Sequence, residues 1–208
     1  MTRYGMAIDT AHCVGCDQCS LVCKMEHNLP DGIWWSRAKT LGTEGFGEGI
    51  PLGKYPESLN SGWYTLSCQH CDNPPCVEVC PTGASSKRED GIVIVDYESC
   101  IGCKSCMAAC PYEGVRSFVE EPKWFLDYSV GAAEAPVHLA GVVEKCTLCV
   151  EKIDRGEMPA CVDVCQSLAR YFGDLDDPES EISKVIAAYD YDQLLADQGT
   201  GPNIYYLK

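Results

Sequence analysis

Four cysteines separated by two, two and three residues lie in the segment Cys100-Ile101-Gly102-Cys103-Lys104-Ser105-Cys106-Met107-Ala108-Ala109-Cys110-Pro111. The first three thiolates can wrap three iron corners of a cubane from one short loop. The fourth cysteine is expected in the first turn of a helix that leads away, so it points at a second cluster. The segment therefore predicts one half of a two-cluster iron–sulfur unit.

Runs of similar spacing recur along the chain. All sixteen cysteines fall into four runs of four, with none left over. Run one contains Cys13, Cys16, Cys19 and Cys23; run two contains Cys68, Cys71, Cys76 and Cys80; run three contains Cys100, Cys103, Cys106 and Cys110; run four contains Cys146, Cys149, Cys161 and Cys165. One run would be suggestive, whereas four in 208 residues are a very strong signal for iron–sulfur clusters.

The fourth cysteine of such a run binds a second cluster. If run one pairs with run four and run two with run three, this rule gives definite ligand sets. Every cysteine is then used once. The predicted sets, each for one [4Fe–4S] cluster, are Cys13, Cys16, Cys19 and Cys165; Cys146, Cys149, Cys161 and Cys23; Cys68, Cys71, Cys76 and Cys110; and Cys100, Cys103, Cys106 and Cys80.

Two other uses of cysteine fit the spacing poorly. A secreted disulfide scaffold is usually shorter and scatters its cysteines, and it would not require four groups of four. Zinc also takes four thiolates, but normally from two well-separated pairs and not from three cysteines packed at i, i+3 and i+6. Zinc held by run four alone would leave run one without the fourth ligand that run four supplies.

The pattern between the runs predicts an α+β, loop-rich fold of two dicluster ferredoxin-like modules with short hairpins and short helices. An Asp90-Gly91 turn before a β-branched stretch predicts a hairpin within a central module, residues 67–116, which holds runs two and three. Tyr4–Ile8 and Ala169–Phe172 flank runs one and four in the same way, so we expect them to pair antiparallel. The central module is then inserted into an outer module, residues 1–66 plus 117–208, which holds runs one and four.

The remaining segments are connectors and a tail. Gly42–Pro56 is rich in glycine and proline and is expected to be a surface loop. Pro122–Pro136 is a second connector, with Trp124, Phe125 and Tyr128. We expect these aromatic residues in core or partner-interface packing, with a cofactor-binding role as the alternative. Apolar spacing predicts a helix over Ile182–Leu194 with Tyr189 on its apolar side, and Pro202–Leu207 is expected to be extended.

The formal charge is −15, with 31 acidic and 16 basic residues, which opposes nucleic-acid binding. No stretch approaches 18 uninterrupted apolar residues, so no membrane span is predicted. The N-terminal residues contain neither an apolar signal region nor a twin arginine. We therefore expect cytoplasmic assembly and a final location in the cytoplasm or at a membrane, with export only on the twin-arginine signal of a partner.

Catalytic motifs are absent from the sequence: there is no dinucleotide fingerprint, phosphate loop or nucleophile elbow. Lys104 and Lys145 lie beside ligand cysteines. We expect their ammonium groups to be solvated, and the alternative is that they tune the reduction potential of a cluster. Four clusters in a row would carry electrons across a protein that one cluster could not span, because tunnelling falls exponentially with distance. The chain is therefore predicted to transfer electrons and not to transform a substrate.

Several stretches resemble a known family, the iron–sulfur β subunits of molybdopterin oxidoreductases of the dimethyl sulfoxide reductase type. The resemblance covers nearly the whole chain. It rests on Cys68-Gln69-His70-Cys71-Asp72-Asn73-Pro74-Pro75-Cys76-Val77-Glu78-Val79-Cys80-Pro81-Thr82-Gly83-Ala84, on Asp90-Gly91-Ile92-Val93-Ile94-Val95, and on the region from Glu144 to Pro178. Run four departs from the family by ending in Cys165-Gln166, where relatives commonly have proline.

The resemblance implies a catalytic partner subunit that carries a molybdenum or tungsten bis-pyranopterin in an anaerobic oxidoreductase. For many members it also implies a membrane anchor or quinone-reactive subunit, or another electron donor. In nitrate-reductase-like relatives a tryptophan replaces the second cysteine of the third run and that cluster loses an iron. Here the position is Cys103, so four complete [4Fe–4S] clusters are expected. A free polyferredoxin that shuttles between enzymes is the alternative function.

Overall fold

A computed structural model of the chain describes residues 2–40, 53–54, 58–59 and 62–208. The strands are β1 (Tyr4–Asp9), β2 (Ser36–Thr40), β3 (Gly53–Lys54), β4 (Ser58–Leu59), β5 (Trp63–Ser67), β6 (Ser85–Lys87), β7 (Val93–Val95), β8 (Arg116–Val119), β9 (Val142–Lys145), β10 (Arg170–Asp174), β11 (Tyr191–Asp192) and β12 (Ile204–Leu207). The helices are α1 (Gln18–Glu26), α2 (Pro75–Glu78), α3 (Ser105–Ala108), α4 (Val150–Ile153), α5 (Ala160–Asp163) and α6 (Glu181–Ala188). Short elements and long loops give the mixed α+β, loop-rich fold that the sequence predicts.

The largest sheet has four strands in the order β10-β1-β12-β11. Strand β1 is antiparallel to β10, with Met6 opposite Phe172 and Ile8 opposite Arg170, so the predicted pairing of the two ends is confirmed. On its other side β1 pairs in parallel with β12, which carries the predicted extended segment into the sheet. Strand β1 is therefore a central strand, which explains why Ala7 and Ile8 are almost fully buried.

The remaining strands form two-stranded antiparallel sheets. The predicted central hairpin is present, with β6 antiparallel to β7. Strand β2 pairs with β5, and β8 with β9. The expected surface loop Gly42–Pro56 lies mostly outside the described residues. Its described part, Gly53–Lys54, is strand β3 paired with β4, so the loop prediction is wrong at that point.

The short helices enclose the third cysteine of each run, whereas the sequence predicts the fourth cysteine in the first helical turn. Cys80, Cys110 and Cys165 each lie two residues beyond the end of a helix, and only Cys23 lies within one. Proline explains the early start of two of these helices: Pro75 is the first residue of α2, and Pro159 immediately precedes α5. A proline at the start of a helix presets the helical φ and needs no hydrogen-bond acceptor.

Helix α6 is shorter than the predicted span of Ile182–Leu194. The hydroxyl of Ser180 caps its start by accepting a hydrogen bond from the backbone N–H of Ser183 at 3.2 Å. The helix ends at Ala188 because Tyr191–Asp192 leave as β11 to pair with β12. Ile182 is fully buried as expected, whereas Tyr189 lies beyond the helix and is exposed.

The connector aromatics do not belong to the core of this chain. Phe125 is 91% exposed and Tyr128 is 63% exposed, so the core alternative is wrong for them and partner-interface packing stays a prediction. Trp124 is anchored more firmly, because its Nε1–H donates to the carbonyl of Asn28 at 2.7 Å.

One apolar cluster joins the two parts of the chain. Met6 and Phe172 from the four-stranded sheet share it with Ile92, which comes immediately before β7 of the central hairpin. The central segment therefore packs directly on the strands formed by the chain ends. Among the described residues, no helix has both the length and the apolar character needed to cross a bilayer.

Candidate iron–sulfur centres

The four cysteine runs share one backbone feature that the spacing alone does not reveal. The residue just before the second cysteine has a positive φ in every run: Gly15 at 65°, His70 at 44°, Gly102 at 66° and Leu148 at 62°. A non-glycine residue in this left-handed region costs roughly 1–2 kcal/mol. His70 and Leu148 adopt it nevertheless, so all four runs turn in the same way between the first and second cysteine.

The structure brings the predicted sets of four cysteines together from distant runs. Three clefts are each lined by one complete set. Site A contains Cys13, Cys16, Cys19 and Cys165; site B contains Cys23, Cys146, Cys149 and Cys161; site D contains Cys80, Cys100, Cys103 and Cys106.

Site C, the fourth set, is recognised from the mutual influence of its thiols. The pKa of Cys71 is raised to about 11, first by burial and also by the charges of Cys68 and Cys76. Burial raises the pKa of Cys110 to about 12, with the same two cysteines adding to the rise. Cys110 comes from run three, so this set also combines two runs.

Electrostatic influences between cysteines of different sites show which sites are neighbours. Burial raises the pKa of Cys19 in site A, and Cys161 of site B contributes to that rise. Burial likewise raises the pKa of Cys146 in site B to about 12, with a contribution from Cys68 of site C. Burial raises the pKa of Cys106 in site D, where Cys76 of site C adds to it. Site A is therefore a neighbour of site B, site B of site C, and site C of site D.

Backbone N–H groups are directed at several of the sulfur atoms. Ser85 donates to Sγ of Cys80 at 3.3 Å, and Ala169 donates to Sγ of Cys165 at 3.4 Å. The donors are the fifth residue after Cys80 and the fourth residue after Cys165. Hydrogen bonds to ligand sulfur are among the means by which proteins set a cluster's potential.

Two buried, hydrogen-bonded histidines, His27 and His138, lie next to site B, and the sequence did not predict this role for them. Nε2 of His27 lies 3.3 Å from Sγ of Cys149. Burial and the proximity of His138 lower the pKa of His27 to about 4, so its imidazole is neutral. His138 in turn donates Nε2–H to the carbonyl of His27 at 2.8 Å and contacts Glu144 through Nδ1 at 2.6 Å. No sequence motif links these residues, since 122 positions separate His27 from Cys149.

The basic residues near the sites are also more buried than expected. Lys145 is 1% exposed, and its ammonium donates to the carbonyls of Val93 and Cys146, so the solvated interpretation is wrong for this residue. Lys104 is exposed and lies over the ring of Phe118 at 3.7 Å, so solvation holds there. Arg116 and Arg170 are buried as well.

The donor set fits iron–sulfur clusters. Each site offers four thiols, and backbone N–H groups or buried cations lie beside them. Burial raises the pKa of several of these thiols, so binding of iron must displace their protons.

Comparison with known proteins agrees with this chemistry. The chain matches the family described as the 4Fe-4S dicluster domain over residues 61–124 and 134–175. It is 47% identical to a Halobacterium salinarum protein provisionally named as a dimethyl sulfoxide reductase iron–sulfur subunit, over 100% of this chain and 79% of that protein. It is 40% identical to the arsenate respiratory reductase iron–sulfur subunit of a Shewanella species, covering 99% and 96% of the two chains. A polysulfide reductase chain of Wolinella succinogenes is 35% identical, with 98% and 93% covered.

Proposed function

This protein is a member of the family of iron–sulfur β subunits of dimethyl sulfoxide reductase-type molybdopterin oxidoreductases, and from this premise we propose that it relays electrons through four [4Fe–4S] clusters. Its function is electron transfer within a reductase complex, and it has no catalytic role of its own. The partner at one end of the relay is a catalytic subunit with a molybdenum or tungsten bis-pyranopterin. The observation that carries the proposal is the assembly of cysteines from distant runs at each site.

The ligand sets of the clusters are the four sets that meet in sites A, B, C and D. Three cysteines of each set come from one run and the fourth from its partner run. The clustering of Cys13, Cys16 and Cys19 with Cys165, which is distant in sequence, supports this crossed arrangement. Bound clusters supply one-electron redox chemistry. The protein's own groups hold them in place, limit water around them and present hydrogen bonds to sulfur.

The organisation that supports the relay is one module nested in another. The central module, residues 67–116, holds sites C and D, and the outer module, residues 1–66 plus 117–208, holds sites A and B. The antiparallel pairing of β1 with β10 and the packing of α1 on α5 support the outer module. The β6–β7 hairpin and the packing of α2 on α3 support the central one.

Electrons would pass along the row A, B, C, D, in either direction. Sites B and C form the junction between the modules, where Cys146 and Cys68 influence each other. Assembly is proposed to take place in the cytoplasm, and the complex works there or at a membrane through an additional anchor or quinone-reactive subunit. Export, if any, would follow the twin-arginine signal of the partner.

The crossed ligand sets can be tested by combining cysteine substitutions. Cys23 and Cys149 come from different runs but share one proposed site. Cys23→Ala and Cys149→Ala should therefore each reduce the iron content by the same amount, and the double variant should lose no more than either single one. If each run held its own cluster, the losses would add. The control pair Cys13→Ala and Cys149→Ala affects two sites under both schemes, so its losses must add.

The second candidate, a free polyferredoxin, is distinguished by purification from native cells under anaerobic conditions. A subunit of a reductase complex co-elutes with a pterin-containing protein in a fixed ratio. Elution of the chain alone, with its clusters intact, would favour the free carrier.

A further inference from the structure

Arg170 lies between sites A and B. It is the first residue of β10, is 7% exposed and lines the clefts of both sites. Its Nη1 donates to the hydroxyl of Thr65 at 2.5 Å, and its Nη2 contacts Sδ of Met6 at 3.0 Å. Among the described residues, its buried Nε has no hydrogen-bond acceptor. The guanidinium is thus fixed between two cluster sites by neutral partners.

Arg116 holds the corresponding place between sites C and D. It is the first residue of β8, is 5% exposed and donates Nη2–H to the hydroxyl of Ser85 at 3.2 Å. Ser85 lines site D and donates its N–H to Sγ of Cys80 at 3.3 Å, so the guanidinium lies next to that site. Although burial opposes its charge, the thiolates around it also hold the pKa of its guanidinium above the ordinary value. These thiolates come from both sites and are Cys76, Cys68, Cys106 and Cys110.

The two arginines reach equivalent places from different positions in the sequence. Arg170 is five residues after Cys165, the last cysteine of run four, whereas the residue five after Cys80 in run two is Ser85. In the central module the arginine comes instead from β8, and it binds the hydroxyl of that serine. A guanidinium therefore lies between the two sites of each module although no sequence correspondence requires it.

We propose that Arg170 and Arg116 are positioning counter-cations, each shared by the two clusters of one module, which raise the reduction potentials of both. This inference rests on the proposed function. Reduction adds one negative charge to a cluster, and a fixed positive charge in a poorly polarisable interior favours the reduced form. Thr65 and Met6, which contact Arg170, and Ser85, which contacts Arg116, are neutral, so these contacts do not cancel the charge.

The test is a redox titration of the holoprotein followed by electron paramagnetic resonance. Arg170→Gln should shift two of the four midpoint potentials downward and leave two in place. Arg116→Gln should shift the complementary two, so each variant is the control for the other. We expect the ratio of oxidised to reduced cluster to rise at least tenfold at a fixed potential, which is about 59 mV for a one-electron couple. Iron and sulfide content of the wild type, measured first, tests the proposed function separately.

Two further kinds of variant distinguish the effect of charge on the potentials from the effect of packing. They also test the proposal if a glutamine variant loses iron. Arg170→Lys and Arg116→Lys retain the charge and should keep the potentials near those of the wild type. Thr65→Asp and Ser85→Asp place a carboxylate against each guanidinium, and each should lower the potentials of its own module. Unchanged potentials in the glutamine and aspartate variants at full iron content would overturn the proposal. Lysine variants that shift as far as the glutamine variants would also overturn it.

Discussion

Gly102 approaches Gly141 so closely that a β-carbon on Gly102 would lie 2.1 Å from the carbonyl oxygen of Gly141. Gly102 lies between the first two cysteines of run three and has a φ of 66°. Gly141 immediately precedes β9, and its N–H donates to the carbonyl of Val119 at 2.6 Å. The loop that carries Cys100 and Cys103 of site D therefore packs directly against the start of β9. Only glycine fits at position 102.

The first prediction is that Gly102→Ala disrupts site D. The added methyl group meets backbone and not a flexible side chain, so the loop must shift away from β9. We expect a loss of about four irons per chain, the content of one [4Fe–4S] cluster. Gly83→Ala is the matched control, because Gly83 also has a positive φ, 71°, but its β-carbon would meet nothing within 4 Å. Equal iron contents in the two variants would show that the close approach is unimportant.

The second prediction concerns Cys103→Trp in site D. Removing one thiolate ligand should leave a three-iron cluster, so the iron content falls by about one and an oxidised three-iron resonance appears. Electron delivery to the partner should be impaired. Ile101→Trp is the control, because Ile101 lies two residues earlier in the same loop and is 66% exposed. Four unchanged [4Fe–4S] clusters in Cys103→Trp would contradict the assignment of Cys103.

The third prediction is a pH dependence of stability from the buried His138–Glu144 pair. Burial is the largest single influence on the pKa of His138 and lowers it. The hydrogen bond to Glu144, the charge of that carboxylate and the hydrogen bond to His27 together outweigh burial, so the pKa is raised from its ordinary value. A raised folded-state pKa stabilises the protein fully below the unfolded pKa, and the contribution disappears as the pH rises through the folded value. The melting temperature of the wild type should therefore fall as the pH rises above about 6.5, the ordinary pKa of histidine.

His138→Gln should flatten that slope, since it removes the titrating group. His12→Gln is the matched control, because His12 also contacts a carboxylate but its side chain is 72% exposed. Melting curves followed by circular dichroism at equal iron content provide the measurement. A slope that His138→Gln leaves unchanged would mean that the pair does not titrate in this range.

The fourth prediction concerns Arg88, which links the β6–β7 hairpin to Asp154 at the end of α4. Its guanidinium binds Asp154 with two hydrogen bonds, of 3.0 and 2.7 Å, and also binds Asp90 at 2.8 Å. Arg88→Ala should reduce the free energy of unfolding by about 1 kcal/mol, the upper range for partly exposed pairs, and less at high salt. Lys123→Ala, which breaks a more exposed pair with Glu121, should have no measurable effect. Equal free energies of unfolding for Arg88→Ala and Lys123→Ala would show that the ion pairs of Arg88 do not stabilise the protein.

The sequence predicted the parts of the molecule that depend on local spacing. The β6–β7 hairpin and the pairing of β1 with β10 follow from short patterns and from the similarity of the two halves. Helix ends were placed less well, because α6 stops where Tyr191–Asp192 find a strand partner near the end of the chain. The periodicity of a short segment does not show that a distant strand such as β12 will pair with it.

The surroundings of the sites could not be predicted for the same physical reason. Lys145, Arg116 and Arg170 are cations, and cations usually remain in water unless tertiary contacts satisfy them. Their burial depends on acceptors from distant segments, such as Thr65 for Arg170. His27 likewise reaches Cys149 only through the fold. Sequence motifs do not identify side chains that are close to a cysteine in space but distant from it in sequence.

The central claim, that sixteen cysteines hold four cubanes, is tested most directly by counting iron and acid-labile sulfide in protein purified anaerobically. Four [4Fe–4S] clusters require about sixteen irons and about sixteen sulfides per chain. We predict those values, with zinc absent in stoichiometric amount. Markedly fewer irons in undamaged protein, or zinc at a full site, would contradict the account.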